Sequence, residues 1–406
     1  MANYVIPEGM YLKGHRVKIH PTESQKQFIS KCINADFYIY NWALEEENNQ
    51  YGKWKDGESE KRFLTRYDLD KKFTELRKTT PFLQEIPHNS GRSAIRKVVD
   101  GFNKFFKGVN NHPKYRSKKR CKLSYKTRND RAFFEDNMLR IEGLPKGELI
   151  TTKFHTGLNK NNNPIMYNCT VSIDSCGNYW FSYKTLEEKP SQLYFEERAI
   201  PESDVIGIDL NVKKRFVLSN GKSFCAPNMK KEFKRLARYQ RKCQKDRDRR
   251  YKQERNNPEI KGSPLSKRSV KRINKCKKQS KHIKNINENF VQTTTKQIIN
   301  MHPKAVVMEN LSVRKMLKRH HVAKEIYHAT FYRNREVMEY KCNMYDIPFI
   351  LAEKGFKSSQ ICSRCGAIMN DKYRKDRLFI CTSCGFTIDR DDNASLNLKN
   401  IAYIAV

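Results

Sequence analysis

Three acidic residues stand where a chain can do chemistry with them. Asp209 closes the apolar run Val205-Ile206-Gly207-Ile208, Glu309 closes Ala305-Val306-Val307-Met308, and Asp391 lies in Asp389-Arg390-Asp391-Asp392-Asn393-Ala394 at the start of the last helical segment. Singly, each reads as well as a solvated strand end or a helix cap. Together they carry more, because an antiparallel meander followed by helix, strand and a later helix can bring such positions to one end of a sheet. Three carboxylates so placed repel one another unless cations stand between them. Two hard divalent ions, Mg2+ or Mn2+, take oxygen ligands and waters and resolve that repulsion. Such a pair activates a water and steadies the leaving oxygen in phosphodiester hydrolysis.

A second constellation is made of sulfur. Cys362-Ser363-Arg364-Cys365 and Cys381-Thr382-Ser383-Cys384 are two CxxC pairs with 15 residues between them, and Gly366 and Gly385 follow their second cysteines. Paired knuckles of this spacing complete a closed tetrahedral Zn2+ site, which holds structure and leaves no position open for catalysis. Redox chemistry is the competing reading. The loop between the knuckles carries Lys372, Tyr373, Arg374, Lys375 and Arg377, a basic and aromatic surface that suits nucleic acid and equally suits a solvated loop. The other eight cysteines (Cys32, Cys121, Cys169, Cys176, Cys225, Cys243, Cys276, Cys342) show no paired spacing and read as reduced thiols. His320-His321 with His328 match no ligand pattern, so surface or packing roles are expected.

The elements that must position these residues are legible in outline. Residues 10–20 alternate loosely into Pro21 and predict a strand, and from Thr22 to about Lys107 the apolar positions recur every three or four residues, through Phe28, Cys32, Ala35, Ile39, Trp42 and Ala43, then Ile95, Val98, Val99, Phe102 and Phe106. Tyr167–Ile173 and Tyr179–Tyr183 flank a hairpin signal at 174–178, and residues 186–204 read as a linker. Residues 204–226, with Asn220-Gly221 between short apolar runs, predict a three-stranded meander carrying Asp209 at the end of its first strand. Residues 230–284 hold 23 Lys/Arg against 5 Asp/Glu and predict two long basic helices, the second striped by Val270, Ile273, Ile283, Ile286 and Phe290. Pro303 stops it. Strands at 305–308 and 348–352 and a helix at 394–404 complete the outline.

Composition narrows the partners. Lys+Arg number 81 against 44 Asp+Glu, a formal net charge of +37, which is costly in self-repulsion unless a polyanion is bound. Nucleic acid fits, whereas no apolar run of about 18 residues, signal peptide or lipidation motif supports a membrane partner. A basic imbalance of this size over 230–284 exceeds what ion-paired surface helices need, so phosphate contact is expected there. The expectation is a soluble protein of the cytoplasm of a bacterial or archaeal cell, with no membrane partner and no small-molecule substrate.

The three carboxylate segments, Val205–Asn211, Val306–Leu311 and Asp389–Ser395, resemble the split RuvC motifs of the TnpB family and of its relatives, the miniature type V CRISPR effectors. His20-Pro21-Thr22 with Gln25, Tyr40-Asn41-Trp42-Ala43-Leu44 and Pro113–Lys118 are similar to the family's N-terminal signatures. The resemblance implies catalytic, metal-binding roles for Asp209, Glu309 and Asp391, the third selected over Asp389 and Asp392 by the family's Asp-x-Asn-Ala frame. It implies an α+β multidomain fold: an RNase H-like (RuvC) nuclease domain over 205–354 and 389–406 with an inserted zinc ribbon at 355–388 that binds target nucleic acid. A β-barrel, wedge-like domain over 1–21 and 135–204 and a helical recognition domain over 22–134 complete it. It further implies a guide RNA, a DNA target cut next to a short protein-read motif, and a division of labour in which base pairing reads sequence. A DNA-joining transposase and a catalytically silent RNA-guided repressor are the alternatives.

Overall fold

The first ordered strand, β1 (Met10–His20), ends where Pro21 removes a ladder donor, and the chain turns directly into helix α1 (Glu23–Lys55). Thr22 caps that helix through a capping box with Gln25, whose side chain also donates to Leu149 O at 3.1 Å. The short His-Pro-Thr-x-x-Gln signature is thus a strand stop, a cap and an anchor. The computed structural model describes residues 6–153, 163–190, 205–318, 323–369 and 377–404. It divides into two units, Met1–Glu188 and Lys189–Val406.

In the first unit α1 buries Ile29, Cys32, Ile33, Ile39, Ala43 and Leu44 against α2 (Arg66–Thr79) and α3 (His88–Phe106). The helical stretch expected from Thr22 to about Lys107 ends at Phe106. Beyond it β2 (Leu123–Lys126) and β3 (Phe133–Glu135) are strands, too short for any period to register in the sequence. They flank a seven-stranded sheet with β4 (Met138–Arg140), β5 (Ile150–Thr152), β6 (Tyr167–Ile173) and β7 (Tyr179–Glu188), ordered β2-β6-β7-β1-β5-β4-β3. A β2–β3 pairing that would close a barrel is absent among the described residues. Strand β7 runs five residues past its predicted end because it pairs with β1 throughout, from Met10↔Glu188 to Ile19↔Tyr179. The predicted linker therefore loses 186–188, and 191–204 lie outside the described residues.

Two of the N-terminal signatures meet here. Asn41 clamps Arg116 through both backbone groups, receiving its N–H at 2.8 Å and donating to its carbonyl at 3.0 Å. Fully buried Asp36 holds Lys97 at 2.7 Å and the Arg116 guanidinium at 3.4 Å, and that guanidinium lies over the Tyr40 ring. The 113–118 segment is thereby pinned to α1 with Tyr115 exposed.

Buried Glu47 accepts from Leu64 N at 3.0 Å, and burial pushes its carboxyl up to about 7 from 4.5. A raised folded-state value means that stability is present below the unfolded value and lost as pH climbs from 4.5 to about 7. Glu47→Gln should therefore match the wild type near pH 4 and exceed it by about 2–3 kcal/mol near pH 8. Denaturant melts at both pH values check this, and a difference independent of pH contradicts it.

In the second unit β8 (Ile206–Asp209), β9 (Lys214–Leu218) and β10 (Ser223–Cys225) form the expected meander, turning at Gly221 with φ of 79°. Helix α4 (Lys230–Asn256) buries none of its residues, and α5 (Lys267–Ile299) buries side chains only from Gln279 onward. Of the predicted stripe Val270 is exposed and Ile283 buried, so the basic hairpin packs at its far end alone. Strand β11 (Val306–Met308) lies parallel to β8 and to β12 (Phe349–Leu351), giving the order β10-β9-β8-β11-β12. Helix α6 (Phe331–Met344) precedes β12. Then come the two-stranded ribbon of β13 (Leu378–Ile380) and β14 (Thr387–Asp389) and the last helix α7 (Arg390–Ile404).

Alternation along the two central strands sorts their side chains. Ile206, Ile208, Val306 and Met308 face a core with Ile298, Ile299 and Met338 from α5 and α6, while Val205, Ala305 and Val307 face Leu398 and Ala402 of α7. The fold is thus a mixed α+β sheet with helices on both faces. Among the described residues no helix is long and apolar enough to cross a membrane.

Candidate active site and four-thiol cluster

The period of two that puts Val205 and Val307 under α7 puts Asp209 and Glu309 on that same face. Strands β8 and β11 pair in parallel at Ile208↔Met308, so the two carboxylates stand side by side one residue further on. Helix α7 supplies the third member from above. It starts four residues earlier than the sequence predicts because the Asp389 carboxylate accepts from Asp391 N at 2.8 Å and Asp392 N at 3.4 Å, a cap that opens the helix at Arg390. Asp391 therefore sits in the first turn.

What lets α7 approach is a missing side chain. A Cβ built on Gly207 would lie well inside contact distance of Ser395 O and Lys399 N and 3.0 Å from Lys399 Cα, all helix backbone. Gly207, two residues before Asp209, is the seat of the helix. Sequence reasoning noted this glycine only as part of a motif; its signal was its place on the α7 face of a strand otherwise filled by large aliphatics.

The electrostatics follow from the convergence. Asp209, 7% exposed, is raised well above the ordinary carboxylate value by burial first, then by the charges of Glu309 and Asp391, while Asn211 opposes this by donating to Asp209 Oδ2 at 2.7 Å. Burial likewise pushes Glu309 up to about 7, against a hydrogen bond from Asp209. Of the three aspartates at the start of α7 it is Asp391 whose charge Asp209 feels. Asp389 is engaged as a cap and lies 3.8 Å from the Lys214 ammonium. The donor set, two carboxylates on one sheet face and a third on the helix that crosses it, suits hard cations: a divalent ion stabilises the ionised forms that burial and mutual repulsion disfavour.

The four cysteine sulfurs lie within 4.8 Å of one another. Each pair forms the same knuckle: Gly366 N donates to Cys362 O and Gly385 N to Cys381 O, both at 2.9 Å, and both glycines hold positive φ, 76° and 69°, which a side chain would strain. Burial would raise the Cys381 thiol, but the backbone amides of Cys384 and Ser383 and the neighbouring thiols outweigh it and bring Cys381 down to about 6, ready as a thiolate ligand. The Ala367 amide favours the Cys365 thiolate, yet hydrogen bonding among the sulfurs pushes Cys365 up to about 12, the other side of the same shared protons. A soft four-sulfur set of this shape suits Zn2+.

Other predicted groups are placed less centrally. His320, His321, Lys372, Tyr373, Arg374 and Lys375 lie outside the described residues, and Arg377 is exposed. His328 packs on Phe233 with ring centroids 4.2 Å apart, a packing role. Arg272 of the basic hairpin is ion-paired to Asp246 across the two helices, whereas Lys271 and Lys275 line an open groove with Val270 and Leu265. Asn211, Asn393 and Asn397 were missed as individuals. Short amides are unremarkable in sequence until their partners are known.

Comparison with known proteins converges on one group. Residues 331–398, which hold α6, the ribbon and the Asp391 turn, match the family model described as Cas12f1-like, TNB domain. Residues 10–56 match one described as a helix-turn-helix domain, although here they form β1 and the unbroken helix α1. A protein of Streptomyces pristinaespiralis with the provisional name RNA-guided DNA endonuclease is 24% identical over 95% of this chain and 88% of its own length. A Mycobacterium tuberculosis protein with the same provisional name is 20% identical over 98% of this chain and 88% of its own. The cryo-EM structure of a Cas12f1–sgRNA–target DNA complex superposes with a TM-score of 0.57 at 13% identity, over 97% of this chain and 99% of that one.

Proposed function

We propose, from the premise that the chain is a TnpB-like protein, that it is an RNA-guided DNA endonuclease whose phosphodiester chemistry is carried by Asp209, Glu309 and Asp391. The observation that carries this reading is the seating of α7 on Gly207, which brings a third carboxylate over the adjacent Asp209 and Glu309. The sheet order, three antiparallel strands continued by two parallel ones with a helix across the acidic face, supports an RNase H-like, RuvC-type domain. Bound Mg2+ or Mn2+ would supply a metal-activated water and charge stabilisation at the leaving oxygen. Asn211 holds the Asp209 carboxylate in one rotamer through its 2.7 Å hydrogen bond. The positive charge, with α4 and the exposed half of α5 as its densest part, suits a guide RNA and a DNA target, as steeply salt-dependent phosphate contacts.

In this reading residues 205–354 and 389–406 are the nuclease domain, 355–388 the target-binding zinc ribbon, 22–134 the recognition domain, and 1–21 with 135–204 the wedge-like domain. RNA sequencing of the purified protein tests the guide. One defined RNA species is expected, and retargeting its variable end should redirect cleavage. Cleavage indifferent to that RNA overturns the proposal, and joined rather than cut DNA products would favour the transposase alternative.

Zinc in the ribbon has its own test. About one zinc per chain is expected by elemental analysis, and Cys362→Ser or Cys381→Ser should lose it and unfold the ribbon, since a closed thiolate site contributes folding energy directly. A zinc-free, fully folded ribbon would contradict this.

A further inference from the structure

The ribbon does more than hang between β12 and α7. Asn393, fully buried, donates to Ile361 O at 2.7 Å and accepts from Ser363 N at 3.0 Å, so one side chain clips the backbone on both sides of the first thiol, Cys362. One turn on, Asn397 donates to Ser358 O at 2.8 Å and to Ile361 O at 2.6 Å. The ribbon's other strand reaches the same turn: β14 runs directly into α7, and Arg390 N donates to Arg377 O at 2.7 Å. Asp391 stands between these attachments, two residues before Asn393. Its helical turn is held by the ribbon, and the helix is seated on Gly207 further along, at Ser395 and Lys399.

The ribbon's own core consists of Cys362, Met369, Phe379 and Cys381 with Ala367, Phe386 and Ile388 packed against it. So small a cluster needs its metal to stay folded. Without the metal, Ile361 O and Ser363 N lose their fixed places, and two buried amides lose the partners that made their burial tolerable.

We propose that the four-thiol ribbon sets the position of Asp391, with Asn393 and Asn397 as the positioning residues through which it acts. Metal in the ribbon thereby governs how tightly the carboxylate site holds its divalent ions. This rests on the nuclease reading above.

The test uses the full-length protein and Mn2+ as the probe, its binding followed by electron paramagnetic resonance without nucleic acid. Asn393→Ala is expected to keep one zinc per chain, to bind Mn2+ about tenfold more weakly, and to need about tenfold more Mg2+ for half-maximal cleavage with little change at saturating Mg2+. Asn397→Ala should shift both in the same direction by less. Zinc withdrawal from the wild type removes any dependence on a variant's folding: hydrogen exchange should quicken at residues 390–394 while β8 and β11 stay protected, and zinc return should reverse it. Unchanged Mn2+ affinity in Asn393→Ala, or unchanged exchange at 390–394 after zinc withdrawal, overturns the proposal. Asp391→Asn separates the two levels. If it too leaves Mn2+ binding unaltered, the carboxylate-site reading is what fails; if it weakens binding and Asn393→Ala does not, only the positioning role fails.

Discussion

Asp209→Asn, Glu309→Gln and Asp391→Asn should each lower Mg2+- or Mn2+-dependent DNA cleavage by about 10^3-fold or more, and double variants should lose little beyond that, because groups acting on one reaction centre are not additive. Nucleic-acid binding should survive, since removing negative charge from a phosphate-facing site does not weaken attraction. Stability supplies a second signature. Glu309 is raised to about 7 from 4.5, so its folded-state cost appears as pH climbs through that window, and Asp209 is raised in the same sense. Without metal at pH 8, Glu309→Gln should therefore be more stable than the wild type by about 1–3 kcal/mol, and Asp209→Asn more stable in the same sense, while both are inactive. A residue kept for folding would show the reverse. Asp392→Ala is the control: its carboxyl is raised by burial and by Asp389 and Asp391, against Lys214, and the proposed metal set does not include it, so it should cut normally. Normal cleavage by all three principal variants would remove the nuclease reading.

Gly207→Ala should be the most damaging single methyl group in the second unit. The added carbon meets helix backbone at Ser395 and Lys399, which has no rotamer by which to yield, so α7 must lift or β8 must bend. A cost of about 3 kcal/mol is expected, or a melting temperature lower by about 6–12 °C. Lifting α7 carries Asp391 away from Asp209 and Glu309, so cleavage should fall by about 10^2-fold or more even in the fraction that is folded. Two further measurements show whether the helix is the cause. Zinc content should stay near one per chain, and Ile206→Val on the opposite face of the same strand should cost only about 1 kcal/mol and leave cleavage intact. Equal effects from both substitutions would mean that β8 responds as a strand and that Gly207 is no special seat.

How far the site was legible differs from residue to residue. Asp209 and Glu309 were readable because a strand is a local object: a short aliphatic run that stops at a carboxylate needs no distant information, and Asn220-Gly221 announces its own turn. The thiol ribbon was readable for the same reason, since a knuckle is closed by its own glycine within five residues. Asp391 was harder, with Asp389 and Asp392 beside it: the capping bonds from Asp391 N and Asp392 N mark Asp389 as the cap, and of the other two it is Asp391 whose charge reaches Asp209.

Elsewhere local pattern failed where pairing decided. Leu123–Lys126 and Phe133–Glu135 carry too few residues to show a period, and they are strands because β6 and β4 offer them partners. The linker lost 186–188 for a like reason: β1 is long enough to extend β7 to Glu188. Arg272 looked like one basic residue among many until Asp246 was found opposite it on the neighbouring helix.

By itself, then, the sequence determined the chemistry available: which carboxylates end strands, which thiols form knuckles, and how much positive charge must be matched by a polyanion. Those properties are carried by a residue and its near neighbours. Only the tertiary structure decided that Asp209 and Glu309 share a face with α7, that Gly207 admits the helix, and that Asn393 and Asn397 tie the ribbon to the turn holding Asp391. Each of those joins groups far apart in the chain, through close packing and buried hydrogen bonds that exist only once both sides are in place.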